Sequence, residues 1–224
     1  MGSYRLRRTI IVIVMLLAAA VPLAGSTFEL PSLQQIVDTD QSAGPLPEEL
    51  DGLVVKGRAP KTGYERSQFG DGWDTSYGCD TRNRILTRDL KDVVAGTDCK
   101  VLSGTLDDPY TGRTIRFVRG ETTSDDVQID HVVALSNAWQ TGAQQLTYDE
   151  RIELANDPLN LLAVDGPANE QKSDGDAATW LPPNKQFRCQ YVRRQVSVKR
   201  KYGLWVTSAE LEAMNRVVSD CPAK

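Results

Sequence analysis

VQIDHVVALSNAW (127–139) and DPLNLLAVDGPANEQK (157–172) are the two stretches on which the fold turns. Val127–Val133 alternates as a strand would, with Ile129 and His131 on one face and Asp130 on the other. Leu159–Val164 reads as a second, buried strand closed by an Asp165-Gly166 turn, and Asn169 follows directly. Between His131 and Asn160 lie 28 residues, enough for an inserted helix. Thr147-Tyr-Asp-Glu150 is a capping box that opens one, with Tyr148, Ile152 and Ala155 at i, i+4 and i+7. Residues 167–181 read as one helix or two short ones, interrupted at Ser173-Asp174-Gly175 and stopped by Pro182-Pro183.

Upstream of these stretches, DPYTG (108–112) is a turn and Thr114–Val118 a strand, while Tyr64–Asp108 reads as irregular structure around Cys79 with a short helix over Asn83–Lys91. Downstream, a basic helix runs from about Gln186 to Tyr202. A last helix opens at the Thr207-Ser-Ala-Glu210 capping box with Leu211, Met214 and Val218 facing inward. Strands and helices in this order predict an α+β domain over residues 59–224. The preceding segment, 26–58, is rich in Pro, Gly and acids and reads as a flexible linker or arm.

Residues 1–25 read as a secretory signal peptide. Arg5, Arg7 and Arg8 precede sixteen uncharged positions, Ile10–Gly25. Those sixteen residues would span roughly 24 Å as a helix against a core of ~30 Å, so secretion is favoured over an N-terminal anchor on the outer face of the membrane. All four cysteines, Cys79, Cys99, Cys189 and Cys221, lie beyond the signal and form no CxxC pair. That pattern favours disulfides over a zinc ribbon. Three pairings are formally possible; Cys79 with Cys99 and Cys189 with Cys221 would each close a loop within one structural unit.

Of 224 residues, 40% are hydrophobic and 25% charged, which suits one soluble globular domain with an appendage. The net charge is −4. With the three signal arginines set aside, 23 basic residues face 30 acidic ones, net −7. An acidic body excludes a general cationic coat but not a local basic stripe. The chain has one histidine, His131, which excludes a three-histidine zinc site and an HExxH peptidase. No GxSxG elbow, Walker loop or GxGxxG is present.

Asp130, His131, Asn160 and Asn169 stand in the order D-H … N … N, among CDTRNRILTRDL (79–90), DPYTG and ANDPLNLLAVDGPANEQKSDGDAATWLPP (155–183). In these stretches the chain resembles the HNH, or ββα-metal, endonucleases. It is most similar to a secreted bacterial HNH family related to the C-terminal domain of GmrSD-type restriction enzymes. The resemblance covers nearly all of the chain from Tyr64 onward. It implies an α+β, disulfide-stabilised ββα-metal core with added helices, and a metal-dependent endonuclease acting on DNA and possibly RNA. His131 would be the general base, a task suited to imidazole. Asp130 and the amide oxygen of Asn169 would hold one divalent cation, Mg²⁺ before Mn²⁺ or Zn²⁺. Asn160 would orient the His131 loop, and Lys172 would contact a phosphate oxygen. The family often has His where this chain has Asn169, and nearby Asp174 or Asp176 could supply the second ligand instead. Because an ideal strand puts Asp130 and His131 on opposite faces, both serve one site only where the strand is distorted or ends.

Lys185–Lys201 carries Lys185, Arg188, Arg193, Arg194, Lys199, Arg200 and Lys201 without an acid, interleaved with Phe187 and Tyr191. It is the candidate phosphate-binding stripe, with Arg193 and Arg194 as its substrate contacts. Arg66 and Arg82 are as readily spent on acids as on substrate, and the four tryptophans suit core better than base stacking. Two rival functions remain at this point: a non-catalytic envelope-binding module with a vestigial site, and a hydrolase of a non-nucleic-acid phosphodiester.

Overall fold

Val127–His131 (β6) and Leu161–Asp165 (β7) pair antiparallel, with Val127 opposite Asp165 and His131 opposite Leu161. In the computed structural model, residues 47–76 and 78–221 are described. The signal reading at 1–25, and the linker reading as far as residue 46, lie outside them.

The β6–β7 ladder is buried on both faces. Val127, Ile129, Leu161 and Ala163 pack with Ile85, Leu86 and Phe117, while Leu162 and Val164 pack on the opposite side with Tyr110, Tyr191 and Met214. Burial on both faces explains why LLAV is a continuous apolar run rather than an alternating one. Helix α4 (Gly166–Lys172) leaves directly from the end of β7. Asp165 caps it by accepting from the Ala168 amide at 2.9 Å, and Pro167 stands in its first turn. Gly166 is required there, because a Cβ would lie 2.0 Å from the Asp125 carbonyl oxygen. The expected Asp-Gly turn is thus a helix start.

Between β6 and β7 the chain inserts two helices. These are α2 (Leu135–Gln140) and α3 (Tyr148–Asn156), the latter opened by the reciprocal Thr147–Glu150 capping box. Before β6 come the short pair β1 (Thr75–Ser76) and β2 (Cys79–Asp80), helix α1 (Thr81–Asp89), and a three-stranded antiparallel sheet. That sheet comprises β3 (Lys91–Ala95), β4 (Val101–Asp107) and β5 (Thr114–Val118), in the order β3-β4-β5. The sheet is a finding; only β5 was expected. After α4 come α5 (Arg188–Lys201) and α6 (Ser208–Ser219), which complete the α+β domain.

Two disulfides, Cys79–Cys99 and Cys189–Cys221, close the loops expected of them. Among the described residues no helix is long and apolar enough to cross a membrane.

The reading of a flexible arm as far as residue 58 is corrected from Pro47 on. Leu50 is fully buried among Tyr191, Val192 and Val218, Val55 forms a parallel bridge with Val206, and Arg58 pairs with Asp176 at 2.6 Å. Short apolar patches in a polar, Gly- and Pro-rich segment suffice to tie it down when each finds a partner.

Candidate active site

His131 ends β6 and is 7% exposed. Its ring lies nearly parallel to the Trp73 ring, centroids 5.6 Å apart, and Nε2 is 2.9 Å from the Ala155 carbonyl oxygen at the end of α3. A carbonyl accepts and cannot donate, so Nε2 carries the hydrogen and Nδ1 the lone pair. Burial drives the imidazole pKa down to about 3, helped by the positive charges of Arg66 and Lys172 and opposed by the Ala155 carbonyl. The ring is neutral at physiological pH.

Asp130 points to the other face of β6, 5% exposed. Its Oδ1 accepts from Lys172 Nζ at 2.9 Å and its Oδ2 from the Tyr110 hydroxyl. Lys172 Nζ also donates to the His131 carbonyl at 2.8 Å, so one ammonium from α4 holds the end of β6 at two adjacent residues. Burial pushes the Asp130 carboxyl above the ordinary carboxylate range, against the pull of Lys172 and Tyr110. DPYTG sets this arrangement. Asp108 accepts from the Thr111 amide and hydroxyl and from the Asp165 amide at 2.9 Å, which fixes the turn to the end of β7 and delivers the fully buried Tyr110 to Asp130.

Asn160 is fully buried just before β7. Its Oδ1 accepts from the Val133 amide at 2.8 Å, and its Nδ2 donates to the carbonyls of Val133 and Leu154, both at 3.3 Å. It therefore ties the chain leaving His131 to α3, which carries the carbonyl that His131 uses. Asn169, half-buried on α4, donates from Nδ2 to Gln128 Oε1 at 2.8 Å, which leaves its Oδ1 to accept.

Asp130, His131 and Asn169 line one cleft of about 520 Å³. Alternation along β6 holds: four successive residues, Gln128, Ile129, Asp130 and His131, border the cleft, while the Asp130 carboxylate turns to Lys172 and Tyr110 on the other face. Of the alternative ligands, Asp174 lines the cleft while pairing with Lys61 at 3.1 Å, whereas Asp176 is buried against Arg58.

Lys172, Arg193 and Arg194 require correction. Lys172, expected at a substrate phosphate, is 2% exposed and committed to Asp130 and the His131 carbonyl. Arg193 pairs with Glu49 at 2.8 Å, and Arg194 donates to the carbonyls of Pro158, Leu159 and Leu161; neither lines the cleft. The basic stripe is dispersed by helical geometry. Lys199 is buried against Glu210, Lys201 bridges Glu153 and Asp157, and Arg200 reaches the Asp51 carbonyl.

The cations that do face the cleft are Lys61, Arg66 and Arg82. Arg66 is exposed and forms no ion pair among the described residues. Arg82 donates to the carbonyls of Ser124 and Val127. Trp73, read as core, is the surface on which the histidine rests. Only proximity of CDTRN and the 64–73 segment to β6 would have revealed these residues, and one sequence does not display it.

Residues 80–217 match the family of GmrSD restriction endonucleases, C-terminal domain. The chain belongs to that family. The matched span opens at the capping residue of α1 and closes within α6, so in this GmrSD C-terminal domain it takes in Asp130, His131, Asn160, Asn169 and Lys172 and leaves out the cleft residues Lys61, Arg66 and Trp73. The chain is also 40% identical over 175 residues to an uncharacterized secreted protein of Arthroderma benhamiae, with 77% of this chain and 82% of that protein covered. That relative is fungal, and a bacterial source for the family draws no support from it.

Proposed function

We propose that this GmrSD C-terminal domain protein is an exported, metal-dependent endonuclease whose β6, β7 and α4 form a ββα-metal core hydrolysing phosphodiester bonds in DNA, and in RNA where a strand fits the cleft. The observation that carries the reading is His131. A neutral imidazole, with Nε2–H spent on Ala155 and its lone pair left on Nδ1, borders the cleft that Asp130 and Asn169 also line. Family membership, a secreted relative and two disulfides support the substrate class and the export.

His131 Nδ1 takes a proton from water as the water oxygen bonds to phosphorus and the bond to the departing sugar oxygen breaks, that oxygen gaining a proton from solvent. Trp73 and Ala155 hold the ring in the one orientation and tautomer this requires. Arg66 and Arg82 lie where phosphate charge would be held.

The donor set suits a hard cation. Asp130 and Asn169 would hold it through oxygen, with water and phosphate completing the shell, and no second imidazole is present to favour zinc. Among the described residues no group of three or more His, Cys, Asp or Glu is placed to hold a metal ion, so water and substrate phosphate would have to supply the rest of the shell. When bound, such a cation stabilises charge on the phosphoryl group and the leaving oxygen. Because Lys172 already offsets the charge of Asp130, that carboxylate alone would be a weak ligand and Asn169 and phosphate would have to share the task.

Supercoiled plasmid supplies the test. Nicking is expected to stop in EDTA, to return with Mg²⁺ or Mn²⁺, and to need more metal in Asn169→Ala. Cleavage indifferent to EDTA would remove the metal from the account. Intact DNA and RNA beside hydrolysis of a wall-type phosphodiester polymer would move the substrate elsewhere.

A further inference from the structure

Asp174 is a wall of the candidate active-site cleft. That residue also lines a smaller hollow of about 260 Å³ bounded by Arg58, Gln171 and Gly175, and Thr179 and Trp180 on its far side are walls of a third concavity of about 550 Å³. This last groove lies between the 177–181 loop, the start of α5 and the outer face of α6. Its floor is apolar, with Ala177, Leu181, Ala213 and Val217, and its rim carries Lys185, Arg188 and Arg216 against a single acid, Asp220. Lys185 and Arg216 are exposed and form no ion pair among the described residues; Arg188 donates from Nε to the Pro182 carbonyl at 2.8 Å.

In a chain of net charge −4, three cations gathered on one rim are a local reversal of sign. An apolar floor with a half-buried tryptophan beside a cationic rim is what a single strand meets on a protein that reads its backbone by charge and its bases by stacking. The disulfide Cys189–Cys221 bounds the groove, so the start of α5 cannot drift from the end of α6 and the rim is pre-formed.

We infer that the Lys185–Arg188–Arg216 groove is a second phosphate-binding site, which holds a strand of nucleic acid flanking the scissile bond after it passes Asp174 and Trp180. The occupant named here rests on the nuclease reading; the groove and its charge do not.

Binding and cleavage are therefore measured separately. In EDTA, with both disulfides intact, affinity for a long fluorescent single-stranded DNA is followed across a salt series for wild type, for the double variant Lys185→Ala, Arg216→Ala, and for the charge-conserving pair Lys185→Arg, Arg216→Lys. The alanine pair is expected to flatten the slope of log affinity against log salt by about 0.7 per charge removed, while the charge-conserving pair keeps the wild-type slope. An unchanged slope in the alanine pair, or an equal loss in the charge-conserving pair, would overturn the proposal. With Mg²⁺ present, wild type is expected to prefer a long strand to a dinucleotide and the alanine pair to lose that preference. If wild type cleaves neither, the nuclease reading fails, and the salt slopes still decide whether the groove binds a polyanion.

Discussion

His131 has one tautomer available, because the Ala155 carbonyl only accepts. Its folded pKa of about 3 lies below the ordinary 6.5, so the folded state resists the proton that the unfolded chain takes up. Its contribution to stability is complete above pH 6.5 and is lost as the pH falls toward 3, at about 1.4 kcal/mol per pH unit. Denaturant titrations of wild type and His131→Asn between pH 7 and pH 4 should converge at roughly that slope; parallel curves would mean the folded ring takes up its proton as readily as the unfolded chain does. The rate of cleavage should likewise show no inflection near pH 6.5. Lys172 forms a buried ion pair with Asp130. Lys172→Met leaves Asp130 buried without its cation and should cost about 3–5 kcal/mol in chemical denaturation, whereas a lysine free to contact a substrate phosphate would cost almost nothing. D-H … N … N was legible as a set because residue types and order are sequence properties. The roles of Tyr110, Trp73 and Lys172 were not, since each depends on which side chain a turn or helix end delivers to β6.

Elements with a local signature formed where expected. Thr147–Glu150 closes both halves of its capping box and opens α3 where expected, and β6 and β7 lie within two residues of their predicted bounds. Thr207-Ser-Ala-Glu210 forms only half of one: the Thr207 hydroxyl accepts from the Glu210 amide, but the Glu210 carboxylate is drawn to Lys199 in the core. Thr147→Ala should therefore cost about 1 kcal/mol of stability and leave kcat/KM unchanged, because the cap lies outside the cleft. Thermal melts and plasmid assays check both halves of that statement. Strands β3 and β4 escaped notice because KDVVA and VLSGTLD carry polar and glycine positions. Their pairing is irregular between Lys91 and Ala95, and half their residues face solvent.

Across the molecule, charge proved a matter of helix face rather than of count. Seven basic residues within Lys185–Lys201 suggested one stripe, yet at 100° per residue they point to different neighbours, and the cations of the cleft come instead from the N-terminal half. The two disulfides close loops with separations of 20 and 32 residues and should each contribute about 3–4 kcal/mol by restricting the unfolded chain. Reduction should lower the denaturation midpoint accordingly, and a protein indifferent to reductant would contradict this. On the proposed reading the whole arrangement serves to place one neutral imidazole on the wall of a cleft, so the decisive measurement is the single-turnover rate of plasmid cleavage by wild type and by a folded His131→Ala variant under saturating Mg²⁺. The account predicts a loss of about 10² to 10⁴-fold. A folded variant that keeps most of the wild-type rate would contradict it.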